Sequence, residues 1–232
     1  MIALIRYKTV LFDADNTLFD FYRAEREALL DALSFMGITP SEEMIGVYSR
    51  INDSYWKMLE RGETTKEALR LQRFVSFCAH YGFNIDVPRL AVAYTDFLST
   101  KSYLFEGVEE ICRALAAHCR LYIITNGIAS VQKGRFTPSP IFPYFEKCFI
   151  SEELGFEKPR AQYFDAVRAA IPNFDPATTF VVGDSLTSDI KGGIAAGLDT
   201  CWYNRAGKEI PDLPITYVIG DLAEVVPLIL GD

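Results

Sequence analysis

Six short runs of β-branched and aromatic residues are apolar almost from end to end: TVLFD from Thr9, LYIIT from Leu121, KCFIS from Lys147, TFVVG from Thr179, TCWYN from Thr200 and TYVIG from Thr216. A strand with one wet face alternates apolar and polar residues, whereas a near-continuous run belongs to a strand covered on both faces. Between the later runs lie segments of helical period, 108–117, 161–171 and 188–196, the last closed by Gly197. Strand and helix in alternation call for right-handed crossovers and a parallel sheet. The predicted fold class is therefore α/β, a doubly wound, Rossmann-like, mostly parallel sheet, which binds its ligands outside the carboxyl ends of its strands.

The stretch from about residue 19 to 103 interrupts this alternation. It holds no strand pattern, and its periodicity predicts helices over Phe21–Met36, Ser41–Arg61, Thr64–Tyr81 and Val87–Thr100, with turn signals at Gly37, Gly62-Glu63, Gly82 and Asp86-Val87-Pro88. Ser41-Glu42-Glu43-Met44 and Thr64-Thr65-Lys66-Glu67 have the look of helix starts, the second with capping-box spacing from Thr64 to Glu67. The expected organisation is a core made of residues 1–18 and 104–232 with an all-helical domain, 19–103, inserted after the first strand.

Four polar groups follow four of the runs. Asp13 and Asp15 follow the first, Thr125-Asn126-Gly127 the second, Lys158-Pro159 comes shortly after the third, and Gly183-Asp184-Ser185 follows the fourth. If the strands are parallel, all four emerge on one edge of the sheet. Each has a plain reading alone. An acidic pair can be a solvated turn, Asn-Gly a turn, Lys-Pro a helix start, and Asp184 a helix N-cap with Asp189 complementing the helix dipole. Together they form a pocket. Two or three aspartates without a nearby histidine suit a hard cation with oxygen ligands, for which Mg²⁺ beside a substrate phosphate is the natural candidate. A metal would also let Asp13 and Asp15 sit close, where each otherwise raises the cost of ionising the other. Thr125, Asn126 and the amides near Gly127 could hold phosphoryl oxygens beside the charge of Lys158. Asp13 could then attack phosphorus, with Asp15 as the acid and base for leaving group and water, and Asp184 as a metal ligand.

DADNT resembles the D-x-D-x-T signature of the haloacid dehalogenase superfamily phosphatases; IITNG is similar to its second motif, EKP to its third and GDSLTSD to its fourth. The resemblance implies that Asp13 is the nucleophile, Asp15 the acid/base, Thr125 and Lys158 phosphate binders, and Asp184 a metal ligand. It further implies that Mg²⁺ takes the main-chain carbonyl of Asp15, that Asp189 is a structural or water-linked acid, and that the helical insert is a cap. A narrower likeness, through DADNTLFDF, SEELGFEKPRAQYFDAV and GDSLTSDIKGGIAAGLDTCWYN, is to the noncanonical pyrimidine 5′-nucleotidases. It implies hydrolysis of nucleoside monophosphates. One departure lies at QKGRFTPSPIFPYF from Gln132, where Pro138, Pro140 and Pro143 predict a loop in place of a helix.

A phosphosugar phosphatase or mutase on the same fold is the alternative enzyme. Dehalogenation is disfavoured because metal-independent dehalogenases lack the second aspartate, here Asp15. A receiver-like module holding an aspartyl-phosphate is a third possibility, against which the helical insert and Asp15 both speak.

The net charge of −8 over 232 residues argues against a nucleic-acid polymer or an anionic membrane as partner. A small phosphorylated substrate remains, with a monomer or weak dimer as the expected state. Five scattered cysteines show no zinc or disulfide spacing. The start, Met1 to Lys8, lacks a leader pattern and no apolar run spans a bilayer, so a cytoplasmic location is expected. Among aromatics of the insert, most read as core at helical spacing, and Phe21, next to the first motif, is singled out as a candidate base-stacking residue.

Overall fold

The computed structural model describes residues 6–231; Met1–Ile5, which carry most of the expected leader-free start, and Asp232 lie outside the described residues. The apolar runs form six strands, β1 (Thr9–Asp13), β2 (Arg120–Thr125), β3 (Phe145–Ile150), β4 (Thr179–Gly183), β5 (Asp199–Tyr203) and β6 (Tyr217–Ile219). They join in the order β3-β2-β1-β4-β5-β6, and every pairing is parallel. Both faces of the sheet are covered, which is why the runs do not alternate. Val10 and Phe12 of β1 enter one apolar cluster, with Val108, Cys112 and Leu115, while Leu11 between them enters another on the opposite face, with Tyr163 and Val167. β1 lies between β2 and β4, so the winding changes direction at its two edges, the place where doubly wound sheets bind ligands.

The insert folds as α1 (Phe21–Phe35), α2 (Glu42–Glu60), α3 (Lys66–Tyr81) and α4 (Val87–Ser99). Small residues of α1, Ala24, Ala28 and Ala32, recur every fourth position and bring its backbone against an aromatic core of Tyr48, Phe74, Phe77 and Tyr94. Asp20, Ser41, Thr65 and Asp86 cap these helices, each accepting from a main-chain N–H three residues on. The capping box expected from Thr64 to Glu67 does not form. The extended residue at the helix start is Thr65, whose hydroxyl accepts from the Ala68 N–H.

The remaining helices are α5 (Val108–Ala116), α6 (Ala129–Phe136), α7 (Ser151–Leu154), α8 (Ala161–Ala170), α9 (Lys191–Ala195) and α10 (Val225–Leu230); a π-helical turn, Leu186–Ile190, leads into α9. α6 corrects the loop expected from Gln132. The chain is helical through Phe136, and Pro138, Pro140 and Pro143 all fall past the helix end, where a missing N–H breaks nothing. α6 sits so close to the end of α4 that a Cβ on Gly134 would lie 2.7 Å from the Ser99 carbonyl oxygen. Among the described residues, no helix is long and apolar enough to cross a membrane.

Candidate active site

The chain leaves β1 in a tight turn. Asn16 takes a left-handed conformation (φ 64°), which asparagine tolerates, and the Leu18 and Phe19 amides fold back onto the Ala14 carbonyl. The turn gives its two aspartates different surroundings. Asp13 is buried; one carboxylate oxygen accepts from Lys158 Nζ at 2.7 Å and the other from the Thr17 hydroxyl at 3.0 Å. The Asp15 carboxylate turns away and accepts from Arg135 Nη1 at 2.5 Å and Gln132 Nε2 at 2.8 Å.

Lys158 is fully enclosed. Its ammonium donates to Asp13, to Asp189 at 2.6 Å and to the Ile124 carbonyl at 2.9 Å. Burial alone would lower its pKa, but Asp13 and Asp189 outweigh this and hold it raised. Asp13, Asp184 and Asp189 each bring a carboxylate oxygen within 4.8 Å of the others. Burial first, and then the Asp189 charge, push the Asp13 carboxyl up to about 7. Asp184 is raised well above the carboxylate range by burial and by Asp13 and Asp189. Such a set, all hard oxygen and short of positive charge, fits a divalent cation like Mg²⁺.

Of the residues expected at the site, Asp13, Lys158, Asp184, Thr125, Asn126, Gly127 and Asp15 all line one cavity of about 420 Å³. Their tasks differ in part from expectation. Both ends of the Asn126 amide are spent on the Lys158 main chain, donating to its carbonyl at 2.9 Å and accepting from its N–H at 2.8 Å. Asn126 therefore sets the position of the lysine. The Thr125 hydroxyl accepts from Gln132 Nε2 at 2.6 Å and from the Gly127 N–H at 3.2 Å. A Cβ on Gly127 would lie 2.3 Å from Gln132 Nε2, so a side chain there would push Gln132 off Asp15 and Thr125. Asp184 is not the cap of the following turn; Ser185 is, accepting from the Ser188 N–H. The Asp15 carboxylate is not among the three clustered acids, and Asp189 takes the third place. Asp189 is fully buried and also accepts from the Ser185 N–H at 3.1 Å, so its charge faces Lys158 and the acid cluster together.

Gln132 and Arg135 were missed in the sequence. Their spacing of three puts them on one face of α6, a usable signal had the prolines not argued against a helix. Of the insert's aromatics, Phe21, Tyr22 and Trp56 line the cavity, whereas Tyr48, Phe74 and Phe77 are core.

A family model described as haloacid dehalogenase-like hydrolase matches residues 7–197. The pyrimidine 5′-nucleotidase PynA of Streptococcus pneumoniae is 38% identical over 199 residues, 85% of this chain and 84% of that protein. The pyrimidine 5′-nucleotidase YjjG of Escherichia coli is 30% identical over 228 residues, 97% and 99% of the two chains. A crystal structure of YfnB from Bacillus subtilis bound to magnesium superposes with a TM-score of 0.91 at 38% identity, covering 97% of this chain and 99% of that one.

Proposed function

The chain belongs to the haloacid dehalogenase-like hydrolases, and from that premise we propose that it is a Mg²⁺-dependent phosphomonoesterase acting on pyrimidine nucleoside 5′-monophosphates. The observation that carries this reading is the gathering of Asp13, Asp184 and Asp189 around Lys158 at the strand ends, with the Asp15 carboxyl held apart from them by Arg135 and Gln132.

Asp13 attacks phosphorus, and the ester oxygen leaves with a proton from Asp15. The same Asp15 then takes a proton from the water that hydrolyses the aspartyl-phosphate. Arg135 and Gln132 hold Asp15 in place for both steps. Lys158, with the Thr125 hydroxyl and the amides near Gly127, binds the phosphoryl oxygens. The residues that would hold Mg²⁺ are Asp13, Asp184 and the main-chain carbonyl of Asp15, with Asp189 beside them; when bound, the ion neutralises charge on the acids and the phosphate. Residues 19–103 act as a cap over the core, 1–18 and 104–232, and exclude water from the cavity. Hydrogen bonds from Thr187 to Glu60 at 2.8 Å, from Lys66 to Ser151 at 2.6 Å and from Arg70 to Glu152 at 2.6 Å tie the two parts together. The pyrimidine assignment is supported by the likeness to PynA and YjjG.

The test is phosphate release over a panel of nucleotides and sugar phosphates with Mg²⁺, run beside the Asp13→Asn protein. Pyrimidine monophosphates should be hydrolysed and Asp13→Asn should be inert. Turnover confined to hexose phosphates would remove the nucleotidase reading, and full activity of Asp13→Asn would remove the mechanism.

A further inference from the structure

Arg73 of α3 is 1% exposed and lines the same cavity as Asp13 and Lys158. Its Nη1 donates to Asn52 Oδ1 at 2.7 Å, and Asn52 in turn donates to Glu25 at 2.7 Å. Its guanidinium carbon lies 5.1 Å from the ring centres of both Phe74 and Tyr94. The fork is thus held on several sides, yet its enclosed Nε and Nη2 have no hydrogen-bond partner among the described residues. A buried donor without an acceptor is costly, and a guanidinium with two is a poor structural element. It is a good receptor for an acceptor that arrives with a ligand.

We propose that Arg73 is a specificity residue that donates to the 2-carbonyl oxygen of a pyrimidine base, reading the end of the substrate remote from the phosphate. The identity of that base rests on the nucleotidase reading above. A neutral carbonyl suits the place better than a second anionic group, because the cavity lining already carries Asp15, Asp53, Glu60 and Asp184. Phe21 and Trp56 in the same lining offer flat apolar surface for the ring.

The experiment compares kcat/KM for uridine 5′-monophosphate, its 2-thio analogue and base-free ribose 5-phosphate, in the wild-type protein and in Arg73→Met, with Mg²⁺ throughout. The wild type should prefer uridine 5′-monophosphate to the 2-thio compound, since sulfur is the weaker acceptor. In Arg73→Met that discrimination should vanish, and the preference for uridine 5′-monophosphate over ribose 5-phosphate should fall by about tenfold or more. A preference that survives in Arg73→Met overturns the assignment. So does a wild type that treats oxygen and sulfur alike, a result that does not depend on the variant folding. A wild type with phosphatase activity but no preference for the nucleotide over ribose 5-phosphate instead removes the nucleotide reading, and with it the base as partner of Arg73.

Discussion

At the scale of single residues, Asp15 depends on a helix that follows a different strand. Arg135 is fully buried, and among the described residues its only carboxylate partner is Asp15. A buried arginine that loses its partner is left without compensation, and the pairing fixes the direction of the Asp15 carboxyl. Arg135→Lys keeps the charge but cannot also keep the contacts of Nε with the Lys101 carbonyl and of Nη1 with Gln132. The variant should lose about 10- to 100-fold in kcat, a good part of what a positioned acid/base contributes. Its pH–rate profile should also change shape, which a purely structural loss would not cause. Initial rates from pH 5 to 9 check both effects. The residues that end strands, Asp13 and Thr125, and those that come after them, Lys158 and Asp184, were legible because a parallel sheet must deliver strand ends to one edge. Arg135 and Gln132 were not, because their placement follows from where a helix stops, and three nearby prolines speak against a helix in the sequence although they only end it.

At the scale of elements, α1, α2 and α3 meet around a buried carboxyl. Glu25 of α1 accepts from the Ser49 hydroxyl at 2.8 Å and from the Asn52 amide, both on α2. Burial, with a smaller push from Asp53, raises Glu25 to about 7, against a lowering by Ser49, Asn52 and Arg73. An acid raised in the folded state favours folding fully below its unfolded pKa of about 4.5, and that contribution is lost as pH rises toward 7. At about 1.4 kcal/mol per pH unit, the loss across this window is about 3 kcal/mol. In Glu25→Gln the amide oxygen still accepts from Asn52 and the amide nitrogen donates to Ser49 Oγ, but nothing ionises. Denaturant unfolding at pH 5 and pH 8 should therefore show a stability drop smaller than that of the wild type by about 2.5 kcal/mol, the part of the loss that falls between those pH values; equal drops would place the acid elsewhere. Helix existence was plain in the sequence here, each helix found ending within one or two residues of its expected bounds. The buried Glu25–Asn52–Arg73 chain was hidden, because helical periodicity marks apolar faces and is silent about polar residues that share them.

At the scale of the whole molecule, a chain of net charge −8 gathers three aspartates at the centre of its sheet edge and sets the Lys158 ammonium against two of them, Asp13 and Asp189. The fold bears that excess, and burial first, then the charge of the neighbouring aspartates, makes Asp13 and Asp184 hold protons more tightly than free carboxylic acids. A cation that binds only the folded protein stabilises it by mass action, about 2.7 kcal/mol at a hundredfold excess over its dissociation constant. For a chain of this size that corresponds to a rise in Tm of about 5–11 °C. Protons compete for the same oxygens. Below about pH 7 a growing share of Asp13 is protonated, so metal binding must first release that proton. The rise in Tm on adding Mg²⁺ should therefore be larger at pH 8 than at pH 5.5, should vanish with a chelator, and should be lost in Asp184→Asn at both pH values. Thermal melts of the two proteins with and without Mg²⁺ decide it. An increment that Asp184→Asn retains in full would mean that the ion stabilises the chain at some place other than these carboxylates.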